Sequence, residues 1–298
     1  MISDILFLPE FAFLRMAFLL SAIASVTFGL IGTFVVVRRI GYMAGALSHC
    51  AFGGVGIGLW FIQSLIVGSC GLRLLIPNDE LRNKLAARLD PVLFAVMTAV
   101  LCSLLIGWIR RKAGEREDTL IGILWSVGMA IGLLFLDRTA GYVAVTGYLF
   151  GDILLISHTD LIITTALSAT VLLLTCLFFH PLEAICFDEE YARLRNIPVD
   201  VYNQLLLVLI AMSVVLMLRI VGMVLVIAML TIPAATAARF TRRLGPMIVL
   251  AILFCFAASW IGILLSYLLN FSSGPMIIMT TALFYVLSSV RIRRRRPR

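Results

Sequence analysis

Long apolar runs, each close to the length of a membrane-spanning helix, follow one another along nearly the whole sequence. A helix needs roughly 20 apolar residues to cross about 30 Å of hydrocarbon. Of the 298 residues, 62% are hydrophobic and 13% are charged, so one aqueous core could not cover this much apolar surface. The sequence therefore predicts an all-α polytopic membrane protein, with residues 1–298 forming a single transmembrane domain in a lipid bilayer.

Breaks rich in charge, glycine and proline divide the apolar runs into about nine predicted transmembrane helices. The predicted spans are 12–37, 41–66, 91–109, 119–136, 160–179, 203–219, 220–238, 247–269 and 275–290. Residues 141–157 are apolar but short, so an interfacial or re-entrant segment is expected there. Asp4 and Glu10 stand where a secretory signal carries basic charge, so the first span is expected to be retained.

Basic residues fall on one side of this arrangement of spans. They are Arg38 and Arg39, the cluster Arg110, Arg111, Lys112 and Arg116, the group Arg239, Arg242 and Arg243, and the tail 291–298. Lys and Arg in short loops stay in the cytoplasm, which predicts an outer amino terminus and a cytoplasmic carboxyl terminus in a bacterial inner membrane. The net charge of +8 is interpreted as this topology signal and contact with anionic lipid, not as nucleic-acid binding.

The loop 68–90 is predicted to lie outside, although it carries several basic residues that nearby acids largely offset. Leu81, Leu85 and Leu89 recur every four residues within it. This spacing predicts a short amphipathic helix that rests on the membrane or meets a partner.

Motifs for energy conversion and hydrolysis are absent from the sequence. The two lysines, Lys84 and Lys112, do not follow glycine in a phosphate-binding loop, and no HExxH zinc motif is present. The chain is therefore expected to be a transport subunit and not an enzyme, with any ATP hydrolysis on a separate ATPase subunit.

A polar stretch with the signals of a short capped helix lies between two spans, at residues 187–200 within the segment 181–200. Asp188 suits the N-cap, Glu189 and Glu190 the first turn, and Arg193 the last turn. Asn196 tolerates the left-handed conformation that ends helices, and Pro198 prevents continuation. Local features favour a solvated loop helix and a docking element equally.

The same stretch resembles the coupling segment of the permease subunits of zinc, manganese and iron ABC transporters. Residues Phe187, Asp188, Glu190, Ala192, Arg193, Pro198 and Val199 match that segment, whereas Asn196 replaces a usual glycine. Further resemblance covers 34–49, 117–124, 147–157 and 218–240, while the loop 71–90 is longer than is usual in the family. The implied coupling residues are Phe187, Asp188, Glu189, Glu190, Ala192, Arg193, Asn196 and Pro198.

This resemblance implies a permease of the vitamin-importer type, also called type II, in an importer of transition-metal ions. The expected partners are an ABC ATPase, an extracytoplasmic metal-binding protein and a second permease subunit, identical or different. The expected ligand is a transported divalent ion, zinc or manganese first and iron next, with no cofactor bound permanently. Two other functions are weighed, namely an ion-coupled secondary carrier and, less favoured for want of a nucleophile and base, an intramembrane enzyme.

His49 is a single titratable ring in an apolar, glycine-rich span. It lies ten residues beyond Arg39, about 15 Å along a helix and close to the middle of the bilayer. Gly45 and Gly53 flank it one turn away on each side, which predicts an open strip beside the ring. The ring either joins two helices by a hydrogen bond or offers nitrogen to a passing metal ion.

The family resemblance favours the metal ligand and also shows a departure at Gly45. Related permeases commonly carry aspartate at that position, four residues before the histidine, whereas Ser48 and His49 are retained here. Asp152 is the candidate substitute ligand, with an N-cap or a dimer-interface acid as its alternative role.

Three other positions are predicted to shape the helices around this path. Gly54 and Gly58 form a GxxxG pair at which another helix can approach closely. Pro233 removes a backbone donor and frees a carbonyl near Met229. A kink at Pro233 is favoured over an ion ligand at that carbonyl.

Overall fold

A computed structural model describes residues 12–67, 78–112, 117–139, 151 and 158–293 of the chain. These residues form twelve α-helices, with no strand among them. The helices are α1 (Ala12–Val37), α2 (Gly41–Val67), α3 (Asp79–Arg88), α4 (Pro91–Lys112), α5 (Glu117–Asp137), α6 (His158–Leu177), α7 (Phe179–Phe187), α8 (Glu189–Leu194), α9 (Val199–Val221), α10 (Met223–Ala237), α11 (Leu244–Leu269) and α12 (Ser273–Arg293).

The predicted spans correspond to nine of these helices. Within the described ranges, seven helices are long and apolar enough to cross a membrane, namely α1, α2, α4, α5, α6, α11 and α12. The other two, α9 and α10, are apolar over the shorter stretches Val199–Val215 and Met223–Ala237. Gly222 alone separates them, with φ 78° and ψ 155°, a conformation that practically requires glycine. The prediction of an all-α polytopic membrane protein with about nine spans is confirmed.

Helices α1 and α2 form the interior of the bundle. Of the most apolar part of α2, 72% of the residues are buried, against 22% for α5. Helix α2 packs against α4, α5, α9 and α10, while α1 packs against α10 and α11. The largest buried side chains of this core include Phe28, Phe34 and Phe52. A helix that is apolar on every side must be covered by other helices or by lipid. Other helices cover most of α2 but only a small part of α5.

A short helix, α3, is present in the loop 68–90, but it ends at Arg88, before Leu89, and it is polar on most sides. Asn78 caps it, since its side-chain oxygen accepts a hydrogen bond from the Glu80 N–H at 3.0 Å. Leu81 and Leu85, the predicted apolar face, are exposed. The re-entrant segment predicted at 141–157 lies outside the described residues except for Gly151, as do the amino terminus and residues 294–298 of the basic tail.

Several arginines lie at one end of the bundle, which we call the basic end. Arg38 follows α1 and contacts residues of α7, α8 and α9 directly. Arg110, at the end of α4, lines the same cavity as Asn203 of α9. Val36 and Val37 pack against the end of α10 and the start of α11, which brings Arg239 to this end as well.

Candidate coupling surface and ion path

Helix α8 is a six-residue helix fixed at both ends by hydrogen bonds. The Asp188 side chain accepts a hydrogen bond from the Tyr191 N–H at 3.0 Å, in the extended backbone conformation of an N-cap. Asn196 adopts a left-handed φ of 58°, and the Ile197 N–H donates to the Ala192 carbonyl at 3.1 Å. Helices this short are unstable alone, so these caps and the packing of Ala192 define the element.

One face of this segment presents large apolar side chains to solvent. Phe187 is 60% exposed, Tyr191 49% and Leu194 83%. Phe187 ends α7, whereas Tyr191 and Leu194 lie three residues apart on α8 and share one side of that helix. We call these three residues the coupling face. Glu190 and Arg195 beside them are also exposed. Exposed apolar groups rimmed by charge are typical of protein interaction surfaces.

The Arg38 side chain anchors the first residue of α8 to the neighbouring helices. Its guanidinium donates to the Ile185 carbonyl at 2.5 Å and to the Asn203 side-chain oxygen at 2.8 Å. It also forms an ion pair with Glu189 at 2.6 Å, and the Asn203 amide donates to the same carboxylate at 3.3 Å. The Arg38 side chain is 11% exposed, so its guanidinium is largely shielded from water, whereas the Glu189 side chain is 37% exposed. We call these four residues the Arg38 cluster.

The Arg38 cluster keeps Glu189 ionised. Partial burial raises the pKa of the Glu189 carboxyl, but the hydrogen bond and charge of Arg38 and the Asn203 amide outweigh it. The net effect is a pKa below the ordinary value for glutamate. A charged carboxylate therefore joins α8 to Arg38 at neutral pH.

A polar cavity of about 370 Å³ lies beside the cluster at the basic end. Its lining residues are Gly107, Arg110, Glu189, Arg193, Asp200, Asn203, Gln204 and Leu207. Arg193 and Asp200 face each other at 4.0 Å, and both are well exposed, so their attraction is weak. The Gln204 amide donates to the Ser103 carbonyl at 3.0 Å and joins α9 to α4.

The His49 ring lies between its own helix and α5. Its Nδ1 is 2.9 Å from the Gly45 carbonyl, and because a carbonyl only accepts, this nitrogen carries the proton. That tautomer leaves the Nε2 lone pair free to bind a metal ion. The ring stacks on Trp125 of α5 with centroids 4.5 Å apart, and the residue is 7% exposed.

The glycine strip beside His49 is filled by α5, contrary to the expected open space. A Cβ at Gly45 would overlap the Trp125 ring. A Cβ at Gly53 would lie 2.8 Å from the Gly128 carbonyl oxygen, and one at Gly56 would lie 2.5 Å from that of Gly132. Glycine faces glycine along this contact, so the two backbones approach more closely than side chains allow.

The GxxxG pair faces a different helix. A Cβ at Gly54 would lie 2.6 Å from the Phe94 carbonyl oxygen, and one at Gly58 would lie 3.0 Å from the Phe94 ring. Phe94 belongs to α4, so α2 has one glycine strip for α4 and another for α5.

The other predicted ligands are not assembled around His49 by the described residues. The Ser48 hydroxyl is fully buried and donates to the Ala44 carbonyl of its own helix at 2.9 Å. Asp152 lies outside the described residues. Across the described part of the chain, no three His, Cys, Asp or Glu side chains are grouped so as to hold a metal ion.

Pro233 lies inside α10 without ending it. The carbonyl that it deprives of a helical donor is that of Met229, four residues earlier. The Cys255 thiol of α11 approaches this oxygen at 3.7 Å as a weak donor. The freed carbonyl thus contacts a neighbouring helix, and the kink at Pro233 stays a prediction.

Two features of the site were missed by reasoning from the sequence. Arg38 was interpreted as a topology signal, although an arginine directly before a new span also suits a buried ion pair. The place of Trp125 on Gly45 depends on residues 80 positions apart. The available hint was the glycine itself, since a side chain missing inside a packed bundle is usually replaced by a larger neighbour.

Comparison with known proteins identifies the family. The sequence profile of the ABC 3 transport family matches residues 10–77 and 83–292. The chain is a member of the ABC 3 transport family. It is 34% identical over 284 residues to an uncharacterized membrane protein of Synechocystis, covering 94% of this chain and 90% of that one. It is 31% identical to the manganese transport system membrane protein MntC of Halalkalibacterium halodurans, covering 94% and 88%.

A solved structure shares this architecture. PsaBC of Streptococcus pneumoniae, solved in complex with Fab, matches with a TM-score of 0.79 and 31% identity. The match covers 97% of this chain and 95% of that one. The chain therefore has the fold of a type II ABC permease.

Proposed function

We propose that this chain is the membrane-spanning permease of an ATP-driven importer for transition-metal ions. The observation that carries the proposal is the coupling face, in which Tyr191 and Leu194 are exposed on the capped, anchored helix α8 and Phe187 is exposed at the end of α7. Exposed apolar groups on a short rigid element at the end of a membrane bundle need a protein partner. An ABC ATPase is the partner that fits, since the chain belongs to an ABC family and its sequence has no phosphate-binding loop of its own.

His49 is the proposed ligand on the ion path. Its Nδ1 donates to Gly45, and a neutral imidazole with a free Nε2 is a ligand that suits zinc and iron. Trp125 and the close contact of α2 with α5 cover the ring in this conformation. Ion passage then requires α5 to move relative to α2. Ser48 and Asp152 are the further proposed path residues.

The cargo is proposed to be zinc or manganese first and iron next. One relative is named a manganese transport system membrane protein, which supports manganese. The glycine at position 45 leaves the path without the carboxylate that the family resemblance implies beside His49, which supports zinc. An extracytoplasmic metal-binding protein delivers the ion, and a second permease subunit, identical or different, completes the pathway. The segment 181–200 and the tail 291–298 lie in the cytoplasm of the bacterium, and the loop 68–90 lies outside.

The test reverses two charges on α8 by combining Glu190→Arg with Arg193→Glu. Because neither residue belongs to the buried core, the permease should fold normally. We expect loss of co-purification with the cognate ATPase and loss of ATP-dependent metal uptake in proteoliposomes. Leu194→Asp should have the same effect, since it places a carboxylate at the most exposed position of the coupling face.

The matched control reverses an exposed pair on α3, where Glu80 and Lys84 form an ion pair at 2.8 Å. Glu80→Lys with Lys84→Glu should leave binding and uptake at parental levels. Parental binding and uptake in the α8 variants would refute the docking assignment. Uptake by the parental chain without any ATPase would instead identify a secondary carrier.

A further inference from the structure

The Arg38 cluster joins α8 to the helix that carries His49. Arg38 and the next two residues, 39 and 40, are the whole link between α1 and α2. His49 lies eight residues beyond Gly41, the first residue of α2, which is about 12 Å along that helix. One side chain at this link thus contacts the last turn of α7, the first residue of α8 and the start of α9.

The link is also rigid. Arg39 has a left-handed φ of 57°, the Arg39 N–H donates to the Val36 carbonyl at 3.1 Å, and the Ile40 N–H donates to the Val35 carbonyl at 3.0 Å. This pair of hydrogen bonds is a Schellman motif, which fixes the direction in which the chain leaves α1. The Met43 N–H then donates to the Ile40 carbonyl at 3.0 Å, so α2 begins at once. Because these hydrogen bonds fix the link, a displacement of Arg38 also displaces the start of α2.

We propose that Arg38 is the positioning residue that transmits movement of α8 to α2. This inference rests on the proposed function, in which the ATPase moves α8. The guanidinium is planar and always charged, and it contacts three acceptors on three elements from one buried position. When α8 moves, Glu189, Asn203 and the Ile185 carbonyl draw Arg38 with them. The start of α2 follows, and with it the contact between α2 and α5 that covers His49.

The experiment measures metal ions transported per ATP hydrolysed, in proteoliposomes that contain the full complex of permease, ATPase and binding protein. The test variant is Arg38→Ala. The matched control is Arg39→Asn, which removes the neighbouring exposed arginine and retains a residue that tolerates the left-handed backbone.

We expect Arg38→Ala to co-purify with the ATPase and to hydrolyse ATP, while transport per ATP falls about tenfold, within the usual range of coupling between sites. Arg38→Lys keeps the charge but not the fork of donors, so an intermediate ratio is expected. Arg39→Asn should keep the parental ratio. If Arg38→Ala does not assemble, Arg38→Lys and Asn203→Ala decide the question by the same ratio.

A parental ratio in Arg38→Ala would overturn the inference. Parallel loss of ATPase binding, hydrolysis and uptake in properly folded permease would also overturn it, because Arg38 would then only support the docking surface. Failure of the proposed function has a different signature, in which the parental complex itself shows no ATP-dependent uptake.

Discussion

The two ends of the proposed coupling route are built from opposite kinds of contact. At the basic end, α8 is joined to the bundle by charged hydrogen bonds between long side chains, with a polar cavity of about 370 Å³ beside them. Around His49, α2 and α5 meet through glycines and backbone atoms, with the Trp125 ring filling the gap at Gly45. Long polar side chains can change rotamer and keep their hydrogen bonds when a neighbouring helix moves, whereas close backbone packing leaves no room for adjustment.

This difference indicates how each region can move. When the α8 segment tilts, the long side chains of the Arg38 cluster can keep their hydrogen bonds and draw Arg38 with them. Helix α5 cannot bend locally away from Gly53 and Gly56 without opening a void, so it must shift as a unit. Access to His49 is therefore expected to change by displacement of a whole helix.

The largest effect is expected from filling the glycine contact. In Gly128→Leu, the new Cβ would lie 2.8 Å from the Cys50 nitrogen and the His49 carbonyl carbon, so α5 could no longer seat on α2. Overpacking against backbone should cost about 3 kcal/mol or more. A melting temperature measured in detergent should fall sharply, or folded protein should be lost.

Gly122→Leu is the control for this prediction, on the same helix. A Cβ at Gly122 has nothing within 4 Å. The melting temperature should stay near the parental value, and equal losses in the two variants would show that α5 does not pack on α2 through Gly128.

A smaller loss is expected from placing an aspartate beside His49. Gly45→Asp would overlap the Trp125 ring, at a cost of about 1–3 kcal/mol. Adding Trp125→Ala should recover stability and place a carboxylate one turn from His49 on the same face. Competition uptake assays should then show a shift toward manganese, a harder cation than zinc. Parental stability of Gly45→Asp alone would mean that Trp125 is not held on Gly45.

The smallest effect is expected from titrating Glu189 at the basic end. Because its pKa is lowered in the folded chain, its pairing stabilises the fold above the ordinary glutamate pKa of about 4.3 and is lost as pH falls further. The exposed side of the carboxylate limits the effect to less than about 1 kcal/mol. The melting temperature of Glu189→Gln should fall less steeply below about pH 4.3 than that of the parental chain. Identical acid profiles would contradict the pairing.

The positions of the membrane helices and of α8 could be predicted from the sequence, because their signals are local. Apolar run length located the spans, and the Asp188 and Asn196 positions located both ends of α8. The contacts around His49 were not predictable in this way. The packing of Trp125 on Gly45 depends on which helices become neighbours, as do the partners of Arg38. Neither the apolar periodicity nor the capping residues of the sequence determine which helices those are.

Radiometal uptake by His49→Ala tests the central claim, that the ion passes the His49 ring, most directly. The variant is assayed in vesicles that contain the ATPase and the binding protein, with the exposed His180→Ala as control. We predict background uptake of zinc and manganese by His49→Ala despite normal assembly, and parental uptake by His180→Ala. Uptake by His49→Ala at the parental rate would show that the ring only joins α2 to α5 and that the ion takes another path.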